Sequence, residues 1–543
     1  DYMKYLLSLL LLIMIGCKAP NDDTKNKDAA APFLIGTADY YRQLALDSDV
    51  IAANANASAI AAAKALPLLD VSSKTAAELQ VLNLDGVISS VDMSKGTPIV
   101  TFYVTTKATS ALPASRLKGF GLSIKTNGSY NATTGVIQTP GATTVISNLY
   151  SVPHMSFSFA KLVVGTNGAP DKWVSYLTTT VPTPDGTIGP SYTAFKRSTP
   201  GWQKNSVDQN GTLTDNGDGT YTYTFARDIT KSKDYISSEY LVASTENMTA
   251  VSAARIAGMG DLKYDNTLPH RLAIAIGIGT VPGSGTANTN KTNQPVMSGG
   301  CTSTTSCSGT AVAALNFTYG TTLVYDFIPA TSKIKAMQRD IVRVSTCNNC
   351  HKDASATTTS GITTRGLIFH GAGGRNDVTQ CVTCHNDQTR AQVESSLASV
   401  SGVFTGTNGM VLDGYAVADF PIMVHKFHMS SWLQKSGTGY YVGSTSYMFP
   451  TKAAAFITKA DSKLCYNCHT TNKTANNEDN WKTRPSRIAC GACHDGIDFT
   501  TGLMTKSANP SNTDTTHGGG KQLDDSKCAG CHSSQYIITK HGL

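Results

Sequence analysis

Charge is scarce in this chain. Charged residues make up 15% of its 543 residues, well under the usual quarter, and aromatic residues only 8%. Long apolar runs are missing too, apart from one near the N-terminus. No dense stripe of Lys and Arg occurs, so the formal net charge of +7 is a weak excess and no footprint for nucleic acid. The low charge also argues against an extended disordered polyelectrolyte. Ser, Thr, Asn and Gly fill the gap, a mix that suits β-rich extracytoplasmic chains. The length allows two or three domains with a sizeable core.

Residues 3–17 read MKYLLSLLLLIMIGC. Lys4 precedes an apolar run from Tyr5 to Ile15, followed by Gly16 and Cys17. This is a charged head and an apolar stretch of signal-peptide length, too short for a permanent bilayer span. Met14-Ile15-Gly16-Cys17 resembles a bacterial lipoprotein box, with Met14 where Leu is usual. The resemblance implies lipidation at Cys17; the alternative is an ordinary secretory signal with an incidental cysteine. Residues 18–72 read as a polar tether followed by an Ala-rich helix over Ala38 to Leu66.

From 73 to 340 the pattern becomes β. PIVTFYVTT, SFSFAKLVV, RLAIAIGI and FTYGTTLVYDF are rich in β-branched and aromatic residues and are bounded by Gly, Pro and Asn. LTDNGDGTYTYTF reads as a hairpin turning at Asp215 to Gly219. Its acidic residues are also a conceivable calcium loop, although the spacing does not match an EF-hand. The fold class expected is multidomain: an all-β, split-barrel or sandwich-like domain, then a mostly irregular and α-helical domain over 341–543.

That last region holds ten of the 13 cysteines. They form five CxxCH motifs: Cys347, Cys350, His351; Cys381, Cys384, His385; Cys465, Cys468, His469; Cys490, Cys493, His494; and Cys528, Cys531, His532. This is the attachment signature of c-type haem. Two thiols three positions apart on a helical turn can add to the two vinyl groups on one porphyrin edge, and the adjacent His then reaches the iron. The rival readings of CxxC are a zinc knuckle or a redox pair. Neither needs His directly after the second Cys. With 12 His in 543 residues, five such placements by accident have a chance of ~5 in 10⁹. The cofactors expected are five covalently attached haems c, each carrying iron.

A filled sixth position restricts a haem to electron transfer, and a vacant one admits substrate. Besides the motif histidines, the region holds His370, His425, His428, His517 and His541. Five distal candidates for five haems is the count for bis-His ligation throughout. Each alone could be a surface histidine. Met410, Met423, Met429, Met448 and Met504 are the rival ligands, but their share of all methionines is at chance level. His425 and His428 stand three apart in PIMVHKFHM and fall on one side of a helix, where they could serve two different haems. A two-His site for another metal is the alternative. A region poor in aliphatic residues could hardly build a core from side chains alone, so its fold should depend on haem.

The run CNNCH, FHGAGGR, CVTCHN, IMVHKFHM, CYNCH, NWKTRPSRIACGACHDGIDF, THGGG, CAGCH and KHGL resembles one pentahaem module of the OmcA/MtrC-type outer-membrane decahaem cytochromes. GTYTYTF, LPHRLAIAIGI and QRDIVRVSTCNNCH resemble the β domain before that module. The resemblance implies a lipid-anchored protein on the outer membrane, facing outward, of a Gram-negative-type bacterium. It implies bis-His haems with His370, His425, His428, His517 and His541 as distal ligands. It also implies a periplasmic or outer-membrane porin–cytochrome as donor, and metal oxides, soluble metal complexes, flavins, electrodes or another cytochrome as acceptors. Family members have two β domains and two such modules, and this chain has one of each. Asp1-Tyr2 stand before Met3, so the sequence is expected to be either a pentahaem relative or a shortened decahaem one.

Cys301 and Cys307 in CTSTTSC are expected to form a local disulfide in an oxidising compartment. Its short loop adds little chain-entropy stabilisation and leaves a redox switch as a second possibility. The function expected is electron transport, with no catalytic residue assigned and terminal metal reduction as the nearest enzymatic activity. The alternative is a multihaem reductase of a small molecule such as nitrite or a sulfur oxyanion. A conducting filament is a third reading, against which the lipid anchor argues. Ten ionised propionates would bring the net charge from +7 to roughly +2 with all haems ferric and roughly −3 with all ferrous. The basic excess is therefore read as their partial compensation.

Overall fold

The computed structural model describes residues 30–71, 74, 76–110, 112–120, 155–177, 179–180, 193–194, 212–225, 228–233, 260–277, 317–351, 377–388, 411–412, 415–416, 419–429, 440–442, 445–447, 465–469, 477–504 and 515–541. Cys17, the Cys301 and Cys307 pair and His370 lie outside these residues, as do the side chains of Cys350 and His351. The chain divides into two compact units, residues 1–51 and 52–543.

Helix α1 (Ala30–Ala65) is the Ala-rich element. It begins before the expected Ala38, because Pro32 falls in the first turn, where a missing N–H breaks no helical bond. Lys64 stands in its last turn, complementing the helix dipole, and Pro67 follows the end. No described helix is long and apolar enough to cross a membrane.

The second unit opens with two sheets. The first contains β1 (Leu68–Asp70), β2 (Asn83–Asp92), β3 (Ile99–Lys107), β4 (Ser115–Lys118), β9 (Thr212–Asp215) and β10 (Thr220–Thr224). Between β1 and β2 lies the short helix α2 (Ala76–Gln80). The second sheet has the order β13-β12-β11-β5-β6, with β5 (Ser156–Val163), β6 (Lys172–Ser175), β11 (His270–Ile276), β12 (Thr321–Ile328) and β13 (Lys333–Ile334), every pair antiparallel. A short pair, β7 (Thr179–Thr180) and β8 (Thr193–Ala194), stands apart. The four runs read as strands are β3, β5, β11 and β12, and β9–β10 is the expected hairpin. Its turn is one residue shorter than read, because Asp215 pairs with Tyr221.

Face-to-face packing of the two sheets makes a sandwich. Phe157 of β5 stacks on Tyr223 of β10 at 3.7 Å between ring centroids and meets Phe102 of β3 edge-on at 5.9 Å. Val100, Val104, Phe159, Leu272, Ile274 and Phe327 complete the same apolar cluster. His270, the histidine of the RLAIAI strand, belongs to this core. Its Nε2 accepts from the Tyr176 hydroxyl at 2.9 Å and its Nδ1 donates to the Leu268 carbonyl at 2.8 Å.

The second sheet is buried on both faces. All seven residues of β11 are buried, which explains why its sequence is almost uninterruptedly apolar. The inward side chains meet the first sheet. The outward ones, Ser156, Ser158, Ala160, Ala273 and Ala275, are small, and their register places them side by side. That shallow floor carries helix α4 (Val378–Cys384), whose Thr383 hydroxyl donates to Ser158 Oγ at 2.8 Å. Val382 packs against Trp173, Ala160 and Leu162. Gln388 then treats edge strand β6 as a further strand would: its Oε1 accepts from the Ser175 N–H at 2.8 Å and its Nε2 donates to the Ser175 carbonyl at 3.1 Å.

At one end of the floor sits Arg271, 1% exposed. Its Nε and one terminal nitrogen bond both Asp326 oxygens at 2.7 Å. The remaining donors reach the Gln338 carbonyl at 2.9 Å and the Thr379 carbonyl of α4 at 3.0 Å, and the guanidinium lies 4.3 Å over the Trp173 ring. One side chain thus ties two strands, the connector after β13 and the helix of the second CxxCH motif together. Breaking such a fully desolvated pair leaves a buried charge alone, a loss of about 3–5 kcal/mol. Arg271→Met should therefore lower the unfolding free energy by that amount, read from denaturant unfolding followed through Trp fluorescence. A change under about 1 kcal/mol would show that Asp326 finds another partner.

Candidate haem-attachment site

Each described CxxCH segment is one closed turn of helix. The His N–H donates to the carbonyl of the first Cys four residues back: His385 to Cys381 at 2.7 Å, and His469 to Cys465, His494 to Cys490 and His532 to Cys528 each at 2.8 Å. The chain then leaves the helix at the histidine. His385, His494 and His532 have φ between −103° and −88° and ψ between 52° and 84°. These turns belong to α4, the 3-10 turn Cys465–Asn467, α7 (Arg487–Cys493) and α8 (Cys528–Cys531), and the first motif ends α3 (Val344–His351). Asp377 and Ser486 cap α4 and α7 through side-chain oxygens that accept from Thr379 N and Ala489 N. The same local geometry at separate points places both thiols of a motif on one turn with the imidazole beside them.

Desolvation pushes thiols upward, Cys528 to about 11 and Cys493 to about 12. A redox CxxC pair needs the opposite shift, towards thiolate. Of the two rival readings of CxxC, the redox pair is therefore the poorer fit at these positions.

Three of the five distal candidates carry a common feature. Nδ1 of His428 meets the Val424 carbonyl at 2.8 Å, that of His541 the Ile537 carbonyl at 2.8 Å, and that of His517 the Gly520 carbonyl at 3.2 Å. A carbonyl only accepts, so Nδ1 carries the proton and Nε2 keeps its lone pair for a metal. His425 and His469 reach the neutral form by another route: burial lowers both to about 4.

Imidazoles also face one another. His517 and His532 lie 6.1 Å apart between ring centroids at 25°, and His494 and His541 lie 6.3 Å apart at 79°. Two metal–nitrogen bonds of about 2.0 Å plus roughly 1.1 Å from each nitrogen to its ring centre give about 6.2 Å. Each pair joins a motif histidine to a distal candidate at a spacing that would let both hold one iron. The residues fit haem c at the fourth and fifth motifs. Besides burial, His469 and His428 act on His425 electrostatically, which places the third motif in the neighbourhood of α5.

Helix α5 (Phe420–Met429) organises this cluster. Its first N–H, on Phe420, donates to the His385 carbonyl at 3.1 Å. Its body packs on α7, which carries Cys490 and Cys493. Further links cross between motifs. Arg487 bonds Asp525 through Nε at 2.7 Å and through its N–H at 3.0 Å, joining the fourth motif to the approach of the fifth. Asn477 N donates to the Asp340 carbonyl at 2.7 Å, joining the first and third. A second contact with the sandwich occurs where Asp525 N donates to the Asn167 carbonyl at 3.1 Å. There Gly168, at φ +78°, admits no Cβ, since one would lie 2.5 Å from the Asp525 carbonyl.

Motif reading alone missed Arg271, Lys426, Asp495 and Asp419. The first two had a signal, each being a charge inside an apolar or ligand-bearing run. Asp419, just before α5, is buried; burial raises it to about 7, against the lowering effect of Arg339, while Asp387 adds to the rise. A carboxyl raised on folding stabilises the fold fully below its unfolded value near 4, and this contribution disappears as the pH climbs through about 7. Asp419→Asn should flatten the fall in unfolding free energy between about pH 4 and 7, by up to a few kcal/mol, measured by denaturant unfolding at each pH. An identical pH profile in the variant would assign that fall elsewhere.

With this geometry in view, the relatives are informative. The family described as outer membrane cytochrome MtrC/MtrF-like, domains II/IV, matches residues 339–542. The multiheme cytochrome MtrC of Shewanella baltica (strain OS185) is 25% identical over 216 residues, covering 40% of this chain and 22% of the relative. Among solved structures, MtrC from Shewanella baltica OS185 shares 19% identity at a TM-score of 0.38, covering 84% of this chain and 44% of that one. The outer membrane decaheme cytochrome OmcA shares 17% at 0.40, covering 88% and 49%. The chain thus spans less than half the length of the relatives it matches. Residues 339–542 thus match the MtrC/MtrF-like outer-membrane cytochrome domain, and over that region the chain is similar to multihaem cytochromes of the MtrC type.

Proposed function

We propose that this chain is a cell-surface electron carrier that holds five bis-His haems c and passes electrons to extracellular acceptors. The observation that carries the reading is the facing of His517 with His532 and of His494 with His541 at about 6 Å, each beside a CxxCH turn. Bound haem supplies a one-electron iron couple. The protein's part is to fix both axial nitrogens, which closes the iron to substrate and suits transfer over chemistry. Cys347, Cys350, Cys381, Cys384, Cys465, Cys468, Cys490, Cys493, Cys528 and Cys531 attach the haems. His351, His385, His469, His494 and His532 are the proximal ligands, and His370, His425, His428, His517 and His541 the distal ones. We pair His541 with His494 and His517 with His532 on their spacing, and His425 with His469 on their electrostatic proximity.

Lipidation at Cys17 would hold the chain on the outer membrane, with a porin–cytochrome as donor. Metal oxides, soluble ferric complexes, flavins, electrodes or another cytochrome would be acceptors. The sandwich, tied to α4 through Arg271, Thr383 and Gln388, would hold the haem region in a fixed pose for such partners.

Stopped-flow mixing of the reduced protein with ferric citrate or a flavin should bleach the ferrous Soret band. Absence of reoxidation by every such acceptor would remove the carrier reading. The reductase alternative predicts carbon-monoxide binding by the native ferrous protein, where we expect almost none. His541→Ala should open one sixth position, raising carbon-monoxide binding to about one per chain while five haems stay attached. A variant indistinguishable from the parent would rule out His541 as a ligand.

A further inference from the structure

Lys426 and Asp495 are both 0% exposed, yet both lie in the part of the structure built around the histidines and cysteines. Lys426 sits on α5 between the candidate ligands His425 and His428. Asp495 directly follows His494, at the end of the turn that presents Cys490 and Cys493. Helices α5 and α7 pack on each other, with Ile422 of α5 and Ala492 of α7 both buried. A lysine stem among haem ligands could be mere packing. Burying the ionic head is costly, however, and an apolar side chain would fill the same volume without that cost.

We propose that Lys426 and Asp495 are an opposed pair of buried charges that sets the reduction potential of the haem attached through Cys490 and Cys493. The proposal rests on the haem-attachment reading of those two cysteines. A fixed cation close to iron stabilises the ferrous form, which is one charge less positive, and a fixed anion stabilises the ferric form. In a water-poor interior neither effect is screened by salt as a surface charge would be. The two residues therefore act on the same couple in opposite directions, and their balance tunes one step of the electron path.

The test is an optical potentiometric titration of the full-length, haem-loaded protein and of three variants. Lys426→Met should move one one-electron component to lower potential, Asp495→Asn should move one to higher potential, and Lys426→Arg should stay close to the parent. Opposite signs are the signature, because simple loosening of the packing would shift both neutralising variants the same way. Titration curves that superimpose on the parent, or that shift together in one direction, overturn the proposal. A pyridine haemochrome count on each variant separates the two levels. Should Lys426→Met attach fewer haems, the sign of the Asp495→Asn shift decides alone. A parent protein with no haem on the peptide holding Cys490 and Cys493 fails the underlying reading, and mass spectrometry of that peptide reports this before any titration.

Discussion

Closure of a single helical turn, with the histidine amide bonded to the carbonyl of the cysteine four residues earlier, is the interaction on which the C-terminal region is built. It recurs at His385, His469, His494 and His532 with nearly constant length. A turn that short cannot persist by helix propensity alone, since nucleation costs more than one bond returns. It must be held by what surrounds it. In the fourth motif that is a Ser486 cap, the Arg487–Asp525 pair and helix α5; in the second it is the floor of a β-sheet. Covalent attachment of a macrocycle would add a constraint of the same kind, pinning both ends of the turn to one rigid body.

The sandwich is shaped by that demand. Its second sheet is not finished on the outside with polar residues, as a free-standing sandwich would be. It presents a stripe of Ser and Ala bounded by Trp173 and the Arg271–Asp326 pair, and α4 fills the stripe. The β region is therefore less an independent module than one wall of the region that carries the CxxCH turns. Its buried charges are fully hydrogen-bonded at the junction, which makes the junction specific in geometry more than strong in net energy.

Charge placement follows the same logic throughout. The chain has few charged residues, and several of those described are buried at junctions: Arg271 with Asp326, Asp419 under the influence of Arg339, Lys426 and Asp495 near the fourth motif.

Much of this was legible in the residues themselves. The spacing of Cys and His determined the cofactor class, because covalent chemistry demands that pattern locally and no distant contact is needed to recognise it. Alternation and β-branching marked the main strands for the same reason, since side-chain period depends on backbone geometry alone. Three-dimensional packing decided the rest. Nothing in the spacing says that His541 faces His494 and His517 faces His532, because that depends on how segments many residues apart fold back on one another. Nor does the string RLAIAIGI reveal that its outward side is roofed by a CxxCH helix and not by water. An apolar run has the same composition whichever partner buries it, and only the tertiary structure supplies the partner.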